Sequence, residues 1–528
     1  MIKKREGLNL RYFILYVLIA TTCEWFFINK SIVINSVNAE DIKVIQPETS
    51  FMIEGKSSAN QGIRFYSCCK VDTWNDVSTK KTEPPRADYK SLRYQEDYRY
   101  MMHSNHDRDF WRPVKYIRLG NREDWYLSIG GEMRQRYEFF HNEEYGKALA
   151  DKHGNNNAWL QRYMLHGDLH LGANVRLFGQ FMSTLEDWRK AGPRSDIDEN
   201  IFDLHQGFID LTAKPGGTGS VILRLGRQEM EYGSGRLIAA REAPNNRRSF
   251  DAIKILFSYR NWSIDGFLGK PVRNLTGVLN DDPNPDKTLW GIYAASPWSL
   301  LPDGHVDLYY LGFENQRAVF AQASGHEIRH MVGARIWGNP LSWKYNFEFI
   351  GQFGQFGSNN IRAWAVASDT HYIFSKLPLS PQVGMRADIT SGDSKSPTLG
   401  TYNPLFPTGA YFNLADLGGP SNFVHIHPTL NLSLTKKLRA SFDWGFFWRQ
   451  NVNDAIYSIG TVPIFLPTST GNQKHYSGSS PALTLIWEPI SHITFLASYV
   501  HFFPSDFLRS EYTAKEVDYF TTWITYKF

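Results

Sequence analysis

The stretch WYLSIGGEMRQRYE, residues 125–138, decides the fold. Taken by twos, Trp125, Leu127, Ile129, Gly131, Met133 and Tyr137 fall on one side, and Ser128, Gly130, Glu132, Arg134, Arg136 and Glu138 on the other. A side-chain period of two belongs to a β-strand. Charges of both signs stack along one face here while the opposite face stays largely apolar. The pattern returns in LQRYMLHGDLHL (160–171), where Arg162, His166, Asp168 and His170 oppose Tyr163, Leu165, Leu169 and Leu171. NVRLFGQFMSTLE (174–186) sets Arg176, Gln180, Thr184 and Glu186 against Val175, Leu177, Phe181 and Leu185. WKYNFEFIGQF carries Lys344, Asn346, Glu348 and Gln352 on its polar side, VGMRADIT carries Arg386 and Asp388, and LRASFDWGFFWR carries Arg439, Asp443 and Arg449.

A two-sheet sandwich would show the same period. Strand length and connection length favour a different fold. The alternating runs span about 10 to 13 residues, the reach of a tilted membrane strand. Gly172-Ala173-Asn174, Arg260-Asn261, Gly338-Asn339-Pro340 and Thr435-Lys436-Lys437 read as tight turns. Between them lie long polar connections at 140–157, 188–200, 231–247, 391–422 and 450–475. Alternating short and long connections predict a transmembrane antiparallel β-barrel of about eighteen strands, all-β, with in-folded and extracellular loops. With an even strand count, every tight turn falls at one end.

The final run DYFTTWITYKF (518–528) fits that expectation. The last strand must pair with the first, because unpaired backbone groups in lipid are costly. Tyr526 and Phe528 are expected on the lipid face. Phe528 also resembles the C-terminal aromatic of bacterial outer-membrane proteins, which implies a signal for the barrel-assembly machinery.

Composition agrees with a barrel. Aromatic residues make up 15% of the 528-residue chain, yet hydrophobic content is only 42%. Beyond the N-terminus no run of about 18 apolar residues occurs, which excludes helical membrane spans but not membrane strands. A net charge of +4 with dispersed basic residues does not suggest nucleic acid. Cys23 and the adjacent Cys68-Cys69 lack the spacing of a zinc or thioredoxin-type site, and no cofactor motif is present.

Residues 1–39 read as a signal peptide: Lys3, Lys4 and Arg5 precede the apolar core Tyr12 to Ala20, and Val37-Asn38-Ala39 offers a cleavage site before Glu40. Residues 40–110 lack alternation and are rich in charge, as in PPRADYKSLRYQEDYRY (84–100). They are predicted to be a partly disordered periplasmic segment, either covering the barrel mouth or trailing without a role. Residues 111–528 form the barrel.

About eighteen strands enclose an aqueous lumen. The inward groups expected from alternation are Arg134, Arg136, Arg162, Arg176, Arg224, Lys254, Arg329, Arg335, Arg362, Arg386, Arg439 and Arg449, with Glu132, Glu138, Asp168, Glu186, Glu348, Asp388 and Asp443 among them. Arginine presents a planar fork of donors suited to carboxylates, and low-dielectric walls focus its field. Anionic, carboxylate-bearing solutes are the natural cargo, and interspersed acids weaken each site so that a bound solute leaves. Many of these pairs are also expected simply to satisfy one another across the wall.

EMEYGSGRLIAAREAPNNRRSFDA (229–252) mixes glycine, apolar residues and paired charges, which is odd for a solvated loop. It is predicted to fold into the channel as a constriction bearing Arg236, Arg241, Arg247 and Arg248. A second candidate, LGTYNPLFPTGAYF (399–412), is expected to cap or narrow the outer mouth.

Taken in order, DWYLSIGGEMRQRYEFF, LQRYMLHGDLHL, the 229–252 loop, LGTYNPLFPTGAYF and the closing HFFPSDFLRS…VDYFTTWITYKF resemble the alginate export family of outer-membrane porins, over residues 90–528. The resemblance implies an 18-stranded monomer in the outer membrane of a Gram-negative bacterium. Its Arg-rich constriction would pass a polyuronate outward by diffusion, with periplasmic delivery proteins as further partners. A general or small-carboxylate uptake porin shares all these features. A barrel-type enzyme is a remoter alternative, because Ser234 in YGSGR lacks the upstream glycine of a nucleophile elbow. An adhesin or scaffold would favour hydrophobic or repetitive loops, which are missing. NDDPNPD (280–286) offers carboxylates to calcium without EF-hand spacing and reads as a solvated acidic loop.

Overall fold

The computed structural model describes residues 89–102, 110–215, 219–394, 397–468 and 474–528. The signal peptide, the three cysteines and the first part of the 40–110 segment lie outside the described residues. Eighteen long strands follow one another: β1 (Trp125–His141), β2 (Asn155–Leu171), β3 (Val175–Asp187), β4 (Asn200–Ala213), β5 (Gly219–Gln228) and β6 (Phe250–Tyr259). Next come β7 (Trp262–Arg273), β8 (Lys287–Pro297), β9 (Gly304–Val319), β10 (Ser324–Gly338), β11 (Trp343–Phe356) and β12 (Asn359–Ile373). The wall ends with β13 (Gln382–Thr390), β14 (Phe423–Ser433), β15 (Leu438–Arg449), β16 (Tyr476–Ile490), β17 (Ile493–Pro504) and β18 (Val517–Lys527). Strand lengths run from 9 to 17 residues, a wider range than the alternation alone suggested.

Each strand pairs antiparallel with its sequence neighbour, and β1 pairs with β18 from Glu132↔Lys527 to His141↔Asp518. Beyond that ladder, Gly131 and Phe528 exchange both backbone hydrogen bonds, at 2.9 and 3.0 Å. The closed cylinder has no free edge, which satisfies the backbone without water. No helix among the described residues is long and apolar enough to cross a membrane.

The four tight turns named above all fall at one end of the barrel, as expected, and the long connections emerge at the other. One departure is the two-residue turn 357–358 between β11 and β12 at the long-loop end. Gly357 supplies the left-handed backbone there, with φ of 57°.

The faces follow the alternation. Met133, Leu165, Phe181, Ile253, Leu268 and Val332 lie exposed on the outer wall, whereas Arg134, Arg162, Arg329 and Arg335 are fully buried inside. Arg362 is the exception: it points outward, exposed, beside Trp364. The inward face of β12 is Ile361, Ala363, Ala365, Ala367 and Asp369. Its small apolar residues pack under an in-folded loop, so the charged position of that strand is the outer one.

That strand belongs to a larger departure from an ionic lumen. Along β6 to β12 the inward residues Phe250, Phe267, Leu289, Tyr309 and Met331 form an apolar cluster. Met230, Leu237 and Ile238 of the 229–249 connection and Tyr402 and Phe406 of the 391–422 connection complete it. Burying each such side chain stabilises by about 1.5–3 kcal/mol. The loops are therefore held inside the barrel largely by the hydrophobic effect on this side.

Candidate functional site

The 229–249 connection leaves β5, crosses the lumen and returns to β6. On the apolar side Ile238 and Phe406 form a parallel backbone bridge between the two in-folded loops. The 399–412 stretch thus lies within the bore rather than over its mouth: Leu399, Tyr402, Ala410 and Tyr411 are all buried, and Leu399 bridges to Ile361 of the wall.

On the opposite side the wall arginines grip the loop by its carbonyls. Arg134 donates to Glu242 O at 2.9 Å and Pro244 O at 2.7 Å. Arg136 donates to Ala243 O and pairs with Glu138. Arg162 holds Glu132 at 2.6 Å and Glu242 Oε1 at 2.8 Å. These three are committed to positioning the loop. Arg329 does the same for the second loop, pairing with Glu327 at 2.6 Å and donating to Thr401 O at 3.2 Å. Arg335 is spent on Asp307 and Asn346 within the wall. Arg449 donates to Val452 O and Lys474 O in an outer loop.

Nearer the short-turn end, Arg176 chelates Asp168 with two 2.7 Å bonds, and Arg224 chelates Asp210 at 2.7 and 2.8 Å. Arg386 donates to Tyr411 O at 3.0 Å. Arg236, from the 229–249 loop, reaches Asp388 at 3.1 Å, Glu348 at 3.2 Å and the Tyr411 hydroxyl, tying both loops to β11 and β13.

Two of the loop arginines differ. Arg241 has one carboxylate partner among the described residues, the half-exposed Asp196 at 3.5 Å, and donates also to the Asp196 carbonyl and weakly to Asn246 O at 3.4 Å. Its backbone sits in the left-handed region, with φ of 62°. A non-glycine residue there is strained, a cost of order 1–3 kcal/mol that surrounding contacts must offset. Arg248 has no carboxylate partner among the described residues. It donates weakly to Ala239 O (3.4 Å) and Pro407 O (3.2 Å), and its guanidinium lies 5.3 Å from the centre of the Phe406 ring. Burial, then the charge of Arg241, push Arg248 down to about 9. It stays cationic at neutral pH, and an incoming anion would offset both effects. Lys287, at the start of β8 on the inward face that continues through Leu289 and Tyr293, has no ion pair among the described residues. The alternation did not single out Lys287; its place directly after NDDPNPD at a strand start was the available signal. The carboxylates of that loop are themselves engaged, Asp282 by Arg273 at 2.6 Å and Asp286 by Arg317. Ser234 donates to Glu348 at 3.1 Å.

Glu229 anchors the start of the loop through Arg247 and through His205 at 2.9 Å. Burial alone would raise its carboxyl, but Arg247 and the His205 hydrogen bond outweigh it and lower the group from 4.5 to about 2. A carboxyl depressed in the folded state stabilises above its unfolded value, and that stabilisation fades as pH falls through the folded one. The loop anchor should weaken between about pH 4.5 and 2. Single-channel traces are expected to show rising loop noise over that window, and Glu229→Gln should be noisy already at neutral pH and change little on acidification. A Glu229→Gln trace with the same acid-onset noise would show that another group controls the anchor.

The sequence profile described as "Alginate export" matches residues 125–521. No protein of curated function matches the chain. Among solved structures the chain is similar to Pseudomonas aeruginosa OpdO, at 10% identity and a TM-score of 0.52, covering 78% of this chain and 98% of that one. It is likewise similar to Pseudomonas aeruginosa OpdK with vanillate, at 9% identity, a TM-score of 0.52 and coverage of 76% and 98%. A BenF-like porin from Pseudomonas fluorescens gives 9%, 0.52, 76% and 98%. These likenesses concern the fold: a closed outer-membrane barrel.

Proposed function

The chain belongs to the alginate export family, and from that premise we propose that this outer-membrane barrel channel lets an acidic polysaccharide of the polyuronate type diffuse outward through its lumen. The short-turn end then faces the periplasm and the long loops face outside, the usual orientation of such barrels. The chain acts alone as a monomer, reaches the membrane through the barrel-assembly machinery, and takes its cargo from periplasmic delivery proteins. The observation that carries this reading is the incompletely neutralised pair of Arg241 and Arg248 at the in-folded loops. Most other lumen arginines are spent on carboxylates or loop carbonyls. A passing carboxylate meets its strongest unfilled attraction at this group, in a water-poor setting that enhances it. Because the cations are few and Asp196 competes, residence is short enough for release.

A second reading, uptake of small carboxylates, is favoured by how much of the bore the two loops fill. The cation group serves it equally well. Replacing Arg241 and Arg248 together by glutamine is expected to lower the anion-to-cation permeability ratio in planar bilayers severalfold, with little change in barrel yield. An unchanged ratio would mean that selectivity lies elsewhere. In the parent channel, oligouronates that block at lower concentration than single-ring carboxylates support export of the polymer; the reverse order supports uptake.

A further inference from the structure

Residues Tyr89–Met102 do not trail from the barrel. They enter the lumen at the short-turn end and seat against the wall and the 229–249 loop. Leu92 and Tyr94 pack with Phe178 of β3, Phe208 of β4 and Ala240 of the loop. The Tyr94 hydroxyl donates to Glu229 O at 2.9 Å. At the barrel seam the Arg93 guanidinium donates to Gly131 O at 2.8 Å and Phe528 O at 2.7 Å, while its Nε holds Glu96.

Three wall and loop cations turn toward this segment. Arg176 donates to Tyr94 O, Arg247 donates to Ser91 O at 3.0 Å, and the Arg224 guanidinium lies 4.4 Å from the centre of the Tyr94 ring. Each is already paired with a carboxylate, Asp168, Glu229 and Asp210 respectively, and turns a remaining donor or its flat face to a neutral carbonyl or ring of the segment, where an acidic group would be held more strongly. The segment itself is held without ladder pairing. Its backbone-to-backbone hydrogen bonds, Gln95 to Leu92, Glu96 to Arg93 and Met101 to Tyr98, are all internal. It can therefore leave without breaking a strand; what its departure breaks are the side-chain contacts of the buried Leu92, Arg93, Tyr94, Tyr98 and Met101.

We propose that Arg176, Arg224 and Arg247, with the Phe178 and Phe208 faces, form an entry site for acidic sugars that the Tyr89–Met102 segment occupies as a built-in plug. Its carbonyls take the places of cargo carboxylates, and the Tyr94 ring takes the place of a sugar ring over the aromatic faces. Cargo or a delivery protein arriving from the short-turn side displaces the segment. This rests on the polyuronate reading above but is tested apart from it, because the variants that test it change the 89–102 segment, Arg176 of β3 and Arg224 of β5 and leave Arg241 and Arg248 in place.

The experiment compares planar-bilayer recordings of the full chain with a variant lacking residues 89–102, and with Tyr94→Ala as a milder variant that keeps the chain length. Expected results are a severalfold higher conductance in the deletion and an intermediate rise for Tyr94→Ala. Oligouronate added at the short-turn side should block the deletion at lower concentration than the parent, and a synthetic Tyr89–Met102 peptide on that side should restore the lower conductance. Adding Arg176→Gln and Arg224→Gln to the deletion should remove the gain in block. Equal conductance in all three chains, or block that does not respond to the deletion, would overturn the proposal. If the deletion yields no folded barrel, the same two readouts on Tyr94→Ala decide it.

Discussion

Arg236→Ala is expected to release both in-folded loops from the wall and convert a quiet channel into a noisy one of higher conductance. Arg236 is the point where the 229–249 loop, the 391–422 loop and strands β11 and β13 meet, through Tyr411, Glu348 and Asp388. The guanidinium side chain is 9% exposed, and its two carboxylates are 5% and 1% exposed. Removing one partner of a buried ion pair leaves an uncompensated charge, typically a loss of about 3–5 kcal/mol. Part of that is offset here, because Glu348 keeps hydrogen bonds from Tyr309 at 2.8 Å and Ser234 at 3.1 Å. About 3 kcal/mol is the working figure. It far exceeds what any exposed pair contributes, such as Arg99 with Asp97, for which about 1 kcal/mol is an upper bound. Limited proteolysis of the refolded barrel should cut within 229–249 in the variant and spare the parent. Arg236→Lys, which keeps the charge but not the fork, should fall between them. An Arg236→Ala channel with parental noise and parental protease resistance would show that the apolar bridge through Ile238 and Phe406 holds the loops without it.

How much of this was legible in the sequence depends on how local each signal is. The inward placement of Glu132, Arg134, Arg136, Arg162 and Asp168 follows from a period of two, which needs only neighbouring residues. The in-folding of 229–249 was legible from composition, because glycine, apolar residues and paired charges do not suit a solvated loop. Arg362 was misplaced because β12 shows small apolar residues inward, a face that makes sense only once Tyr402 and Phe406 lie on it. The segment around Arg93 and Tyr94 has no period at all. Its seat depends on contacts such as Arg93 with Phe528, 435 positions apart, which no local pattern encodes. Nor did alternation reveal which arginines are free. Arg134 and Arg248 look alike in the sequence, yet the first is spent on loop carbonyls and the second has only weak partners.

Deleting Phe528 is expected to lower the yield of closed barrel severalfold, and the seam supplies the reason. Phe528 and Gly131 exchange the final pair of backbone hydrogen bonds between β18 and β1. Removing Phe528 leaves the N–H of Gly131 without its partner, a buried orphan that costs about 1–3 kcal/mol, while the Gly131 carbonyl keeps the Arg93 guanidinium at 2.8 Å. The ring matters as well. It stacks on Trp111 with centres 4.2 Å apart, and it covers Gly131 so closely that a β-carbon there would meet the ring at 2.7 Å. An aromatic side chain laid over a strand glycine restores packing that the glycine lacks. Two separable contributions follow, one from the backbone and one from the ring. Phe528→Tyr should assemble nearly as well as the parent, Phe528→Ala should lose the ring contribution while keeping the backbone pair, and the deletion should be worst. Gly131→Ala should be at least as damaging as Phe528→Ala, since the added methyl meets both the ring and the Met164 backbone carbonyl of β2 at 2.7 Å. Heat-modifiable gel mobility of membrane fractions gives the ratio of closed to open barrel for each. Equal ratios for the deletion and the parent would mean that the ladder from Glu132 to His141 closes the cylinder unaided.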